Sequence, residues 1–162
     1  MRKSHLPLIA VIVLAVILYS AAMIVLVFNL QPPLTSTSST NRTPTVNIVL
    51  YEGEISAIKY GFGNTSTTLT SPGPTLRFNL TDVVNITVVN VGSMPHAFAI
   101  TNAPKTGATI LFGAEIGASS YLEPGKQGTV IFTPNNAGSF YYICPVPGHA
   151  EVGMYGSVVI SG

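Results

Sequence analysis

The sequence predicts an all-β domain, two antiparallel sheets packed as a sandwich, preceded by one N-terminal transmembrane helix. Three observations predict it. Short β-branched and aromatic runs recur through the chain beyond residue 45, and Pro-, Gly- and Asn-rich turns separate them. No window of helical length in that part carries a 3.6-residue apolar period with capping signals. Residues 6–30, by contrast, hold no charged side chain and are dominated by Ile, Val, Leu and Ala.

A helix of about 25 residues rises about 37 Å, enough to cross a hydrocarbon core of about 30 Å with some tilt. Arg2 and Lys3 precede the run, so residues 1–5 are expected on the cytoplasmic side and everything after residue 30 outside. The rival is a cleaved signal peptide with Ser20, Ala21 and Ala22 at the cleavage site. The apolar run continues past that point through Phe28, which a signal peptide does not need, and the segment reads as an anchor. Either reading puts the domain on the extracytoplasmic side, and the anchor makes it a single-pass protein of the plasma membrane.

Residues 31–45 are rich in Pro, Ser and Thr and have almost no apolar content, the composition of an exposed linker. Residues 46–162 form the domain. They contain four basic residues (Lys59, Arg77, Lys105, Lys126) and six acidic ones, with no basic stripe for nucleic acid.

The expected strands lie within residues 46–51, 75–80, 83–89, 96–101, 129–133, 139–143 and 155–160. In the third of these, Val84, Ile86 and Val88 share one face while Asn85 and Thr87 share the other. Residues 107–120 show the least clear pattern and are expected to hold a short helix or a loop.

The chemistry concentrates near the C-terminus. Cys144, His149 and Met154 occur in order, each pair separated by four residues, between two strand-like runs. One connection can therefore bring a thiolate, an imidazole and a thioether to one point. A second imidazole, His96, follows Pro95 where a loop enters a strand. Two His and one Cys with a weak axial Met form the ligand set of an electron-transfer copper site. Pro145 and Pro147 fix two φ angles, and Gly148 and Gly153 permit tight turns directly before His149 and Met154. Each ligand alone has a duller reading: a buried thiol, a gap-filling Met, two loop histidines. Four together, in this order, do not.

The Cys-x4-His-x4-Met loop, the Pro-His turn, the run Pro74-Thr75-Leu76-Arg77 and the approach Gly-x-Phe-Tyr-Tyr-x-Cys resemble the cupredoxins, the small type 1 blue copper proteins. The loop is most similar to those of sulfocyanin- and rusticyanin-like members. The resemblance covers most of residues 74–160. It implies a Greek-key cupredoxin sandwich holding one copper ion that alternates between Cu(I) and Cu(II). His96 and His149 would bind through Nδ1, Cys144 through sulfur and Met154 axially. It implies an electron carrier rather than an enzyme, serving a redox partner protein such as the terminal oxidase of a membrane respiratory complex. The edge of His149 would be the electron port, with Pro145, Val146 and Pro147 around it. Many cupredoxins have Asn or Ser after the first His, and here that position is Ala97.

Competing readings remain open at this level. A copper enzyme needs more imidazoles than the three His of the chain supply, since His5 precedes the apolar run. A binuclear copper centre needs two cysteines, and the chain has one. A metal-free adhesion module and a copper-delivery protein are the other two.

Overall fold

The structure is a computed structural model and describes residues 42–162. The expected cytoplasmic segment, the anchor and most of the linker lie outside the described residues. Among the described residues no helix is long and apolar enough to cross a membrane.

Ten strands form the domain: β1 (Val46–Ser56), β2 (Lys59–Thr65), β3 (Thr68–Thr70), β4 (Leu76–Asn79), β5 (Val84–Asn90), β6 (Phe98–Thr101), β7 (Ile110–Ile116), β8 (Gln127–Phe132), β9 (Gly138–Ile143) and β10 (Tyr155–Ser161). They make two five-stranded sheets, ordered β3-β2-β1-β5-β8 and β4-β10-β9-β6-β7. Their inward faces meet in one apolar core that includes Leu50, Phe62, Ile86, Phe98, Ile100 and Tyr142. Fully burying a side chain such as Ile86 contributes about 1.5–3 kcal/mol.

The expectation of purely antiparallel sheets needs correction. β1 pairs parallel with β5, from Val46 opposite Val84 to Glu52 opposite Asn90, and β10 pairs parallel with β4. After β1 the chain makes a local β2–β3 hairpin, crosses to the second sheet as β4, and returns as β5 in the direction of β1. Pairing direction is set by that crossover rather than by alternation within any run.

Residues 107–120 also differ from expectation: they hold β7. Phe112 and Gly113 adopt positive φ (58° and 64°), and the β6–β7 register shifts between Ala99 and Thr101. This irregularity breaks the two-residue period that marks a strand in sequence. β2 and β3 escaped the reading for another reason. Their Gly, Asn, Thr and Lys residues carry little apolar signal.

One core residue is unusual. Glu52 is fully buried, flanked in register by Phe62 and Asn90, and among the described residues neither carboxyl oxygen has a hydrogen-bond partner. Burial pushes its pKa well above the ordinary carboxylate range, so the folded domain holds it as the neutral acid. The unfolded chain ionises it near pH ~4.3. As pH rises from there towards the raised folded pKa, the unfolded state binds fewer protons than the native one and stability is lost. Glu52→Gln is expected to remove that loss. Denaturant unfolding of the metal-free chain from acid to neutral pH should show the variant gaining on the parent as pH rises; a constant difference between the two would contradict it.

Candidate metal centre

The site lies at one end of the sandwich, where the connection from β9 to β10 meets the loop between β5 and β6. His96 forms a two-way backbone bridge with Leu122: its N–H donates to the Leu122 carbonyl (3.1 Å), and the Leu122 N–H donates back (2.8 Å). Buried Asn90 at the end of β5 ties the same region together. Its Nδ2 donates to the carbonyls of Met94 and Leu122, both at 2.8 Å, and its Oδ1 accepts the Gly92 N–H. Pro95 then leads the chain into His96, which is completely buried.

Cys144 is the first residue after β9. Its N–H donates to the Met154 carbonyl (3.0 Å), and the Met154 N–H donates to the His149 carbonyl (2.9 Å). The loop is thus closed on itself at each of its three donor residues. Gly148 and Gly153 have φ of 87° and 101°, the left-handed backbone that glycine adopts without strain. At Gly153 a Cβ would also stand 2.3 Å from Ser71 Oγ, whose hydroxyl donates to the Gly153 carbonyl. Met154 is fully buried within the core cluster that also contains Cys144.

His96, Cys144 and His149 come together. Their donor atoms form a triangle: Nδ1 to Nδ1 is 3.2 Å, Sγ to His149 Nδ1 is 3.5 Å, and Sγ to His96 Nδ1 is 4.0 Å. A triangle with those sides is acute, and its circumscribed circle has a radius of about 2.1 Å. One point inside it is therefore equidistant from all three donors at a typical metal–nitrogen or metal–thiolate distance, about 2.0–2.3 Å. Thiolate with two imidazoles is a donor set suited to copper. Residues and geometry fit the ion.

The family described as multicopper oxidase matches residues 65–162. The chain belongs to it, as a cupredoxin. Rusticyanin of Acidithiobacillus ferrooxidans is 34% identical over 93 residues, which are 54% of this chain and 50% of that protein. Copper-containing nitrite reductase of Alcaligenes xylosoxydans xylosoxydans is 35% identical over 95 residues, 55% of this chain and 27% of the enzyme. The chain thus spans about half the length of the first relative and about a quarter of the second. The crystal structure of rusticyanin from Thiobacillus ferrooxidans superposes with a TM-score of 0.54 at 22% identity, covering 73% of this chain and 79% of that one, a likeness of fold. His96, Cys144, His149 and Met154 of this cupredoxin are arranged as a single type 1 copper site.

The electrostatics favour a metal over a proton at the imidazoles and the reverse at the thiol. Burial, with His149 nearby, brings His96 down to about 4 against the pull of Glu54; burial also lowers His149. Both rings are therefore neutral in neutral solution, with lone pairs to offer. Burial pushes the Cys144 thiol up to about 12, while the backbone N–H groups of Val146 and Ala97 favour the thiolate. Metal uptake must expel that proton. The N–H of Ala97 serves the sulfur although its side chain cannot.

The resemblance implies a partly exposed edge for His149, and 6% of the residue is exposed, at the rim of a surface depression. Tyr60 of β2 stacks on its ring, with centroids 4.2 Å apart and planes 25° from parallel. Of the expected patch, Pro147 is exposed, whereas Pro145 and Val146 are half-buried and Val146 packs on the core. Ile58, Met94, Val152 and Pro147 surround the outer side of the site instead, and Ile58 is 81% exposed. Tyr60 and Glu54, which lies 3.7 Å from His96, were both missed in the sequence. Glu54 carried a signal: the inward face of β1 runs Ile48, Leu50, Glu52, Glu54, so the alternation continues onto two carboxyls.

Proposed function

We propose that this cupredoxin is a one-electron carrier, not an enzyme, tethered to the outer face of the plasma membrane and exchanging electrons with a membrane respiratory complex such as a terminal oxidase. The donor triangle carries the electron-transfer reading. Three donors are held in place and buried, His96 by its backbone bridge to Leu122, and Cys144 and His149 each by a backbone bond to Met154. Bound copper would supply a couple that gains and loses one electron.

The chain's own residues keep the cost of that exchange small. The bridge to Leu122 and the Asn90 bonds fix His96. Tyr60 clamps the His149 ring, and the closed loop holds Cys144 relative to Met154. Little is free to move when the charge changes, and burial of His96, Cys144 and Met154 excludes water. The apolar surround of Ile58, Met94, Pro147 and Val152 offers a surface that a partner can desolvate at little cost.

Against an enzyme stands the histidine count. The chain has three, two of them at this site and His5 ahead of the apolar run, so no imidazole remains for a second copper. Against delivery stands the closure of the site, which suits retention rather than hand-over. The tether rests on the uncharged residues 6–30, the basic pair before them and the polar linker after them.

Titration of the full chain with Cu(II) should produce an intense thiolate-to-copper band that saturates at one equivalent, with a reversible one-electron wave. Met154→Leu should keep the copper and raise the potential, because Cu(II) needs a fourth donor more than Cu(I) does. Absence of colour at one equivalent sinks the carrier reading. Recovery of the chain in the soluble rather than the membrane fraction of cells sinks the tether alone.

A further inference from the structure

Glu54 stands at the site end of β1 and is held from one side by the loop that precedes His96. Its Oε2 accepts the Ser93 N–H at 2.8 Å, its Oε1 accepts the Met94 N–H at 2.9 Å, and the Ser93 hydroxyl donates to Oε1 at 3.4 Å. Gly92 makes room for it: a Cβ there would stand 2.3 Å from Oε2. On its other side, Oε1 lies 3.7 Å from Nε2 of His96, a buried nitrogen with no hydrogen-bond partner among the described residues. The separation is too long for a hydrogen bond and too short to admit a water, so the carboxylate acts on the ring directly through its charge.

We infer that Glu54 is the positioning residue of the first histidine, setting the proton of His96 on Nε2 and biasing the site towards the oxidised ion. The inference rests on the copper reading of the site for its second half only. An N–H aimed at a carboxylate is attracted, whereas a nitrogen lone pair aimed at it is repelled. His96 therefore carries its proton on Nε2 and turns the Nδ1 lone pair towards the other donors. In the loaded chain, a fixed negative charge behind His96 stabilises Cu(II) relative to Cu(I), as carboxylates behind metal-bound imidazoles raise the basicity of the ligand.

Two measurements on the full chain test this. Nitrogen NMR of the metal-free protein should find His96 protonated at Nε2, with that preference reduced about tenfold in Glu54→Leu. In the copper-loaded protein, Glu54→Gln keeps the side-chain length and an acceptor oxygen for the loop while removing the charge. It should lower the Cu(II)-to-Cu(I) affinity ratio about tenfold, raising the potential by about 59 mV. A His96 protonated at Nδ1 in the parent overturns the proposal, as does a Glu54→Gln protein with unchanged potential. A parent that takes up no copper defeats the carrier reading instead, while the tautomers still decide whether Glu54 sets His96.

Discussion

Cys144→Ser is expected to leave a folded domain that binds copper weakly and without colour. The residue is fully buried, and its N–H bond to the Met154 carbonyl belongs to the backbone, so the loop keeps its closure in the variant. What changes is the donor. A serine hydroxyl is a hard oxygen that stays protonated in water, whereas the thiolate is the soft, charged ligand that suits both copper states. The intense visible band originates in charge transfer from that sulfur and must vanish with it. Loss of a supporting partner behind a metal ligand costs about 10–100-fold in affinity, and loss of the ligand itself should exceed that in a competition titration. The new hydroxyl, buried where an apolar sulfur packed, costs about 1–3 kcal/mol if it finds no partner. A variant that stays blue would place the colour on another group and remove Cys144 from the site.

Gly156→Ala is expected to lower the unfolding temperature by roughly 10 °C through a single added methyl group. An added Cβ would stand 2.2 Å from Cζ, 2.3 Å from Oη and 2.4 Å from Cε1 of Tyr142, its neighbour in the β9–β10 register. The ring has nowhere to go. It meets Phe62 edge-on at 5.0 Å and Phe98 at 5.7 Å, and its hydroxyl donates to the Pro74 carbonyl at 2.6 Å. Nor can the strand retreat, since β10 is hydrogen-bonded to β9 on one side and β4 on the other. Overpacking of this kind costs about 1–3 kcal/mol, and a domain of this size falls between those whose midpoint moves by about 4–8 °C and by about 2–4 °C per kcal/mol. Met154 lies two residues before the clash, so the copper band should shift as well. Calorimetry of the metal-free chain separates the packing effect from the metal; an unchanged midpoint would mean that the Tyr142 ring is free to move.

Several features of the molecule were legible in the residues because they are local. The burial of β5 alternates as Val84, Ile86 and Val88 predicted, since a strand's two faces follow from its own sequence. The stiff loop around His149 could be read from Pro145, Pro147, Gly148 and Gly153 for the same reason. Elsewhere local reading failed. β7 was hidden by two positive φ angles, β2 and β3 by their polar composition, and the parallel pairs by a crossover that no single run records.

By itself the sequence determined the donor types, their order and the all-β class, because softness, charge and two-residue periodicity belong to side chains and their near neighbours. Tertiary structure alone decided that His96 reaches Cys144 across 48 residues, that Glu54 stands behind one imidazole, and that Tyr60 covers the other. Those contacts depend on which strands pair across the sandwich and in which register. That arrangement minimises exposed apolar surface over the whole chain at once, so no segment specifies it alone.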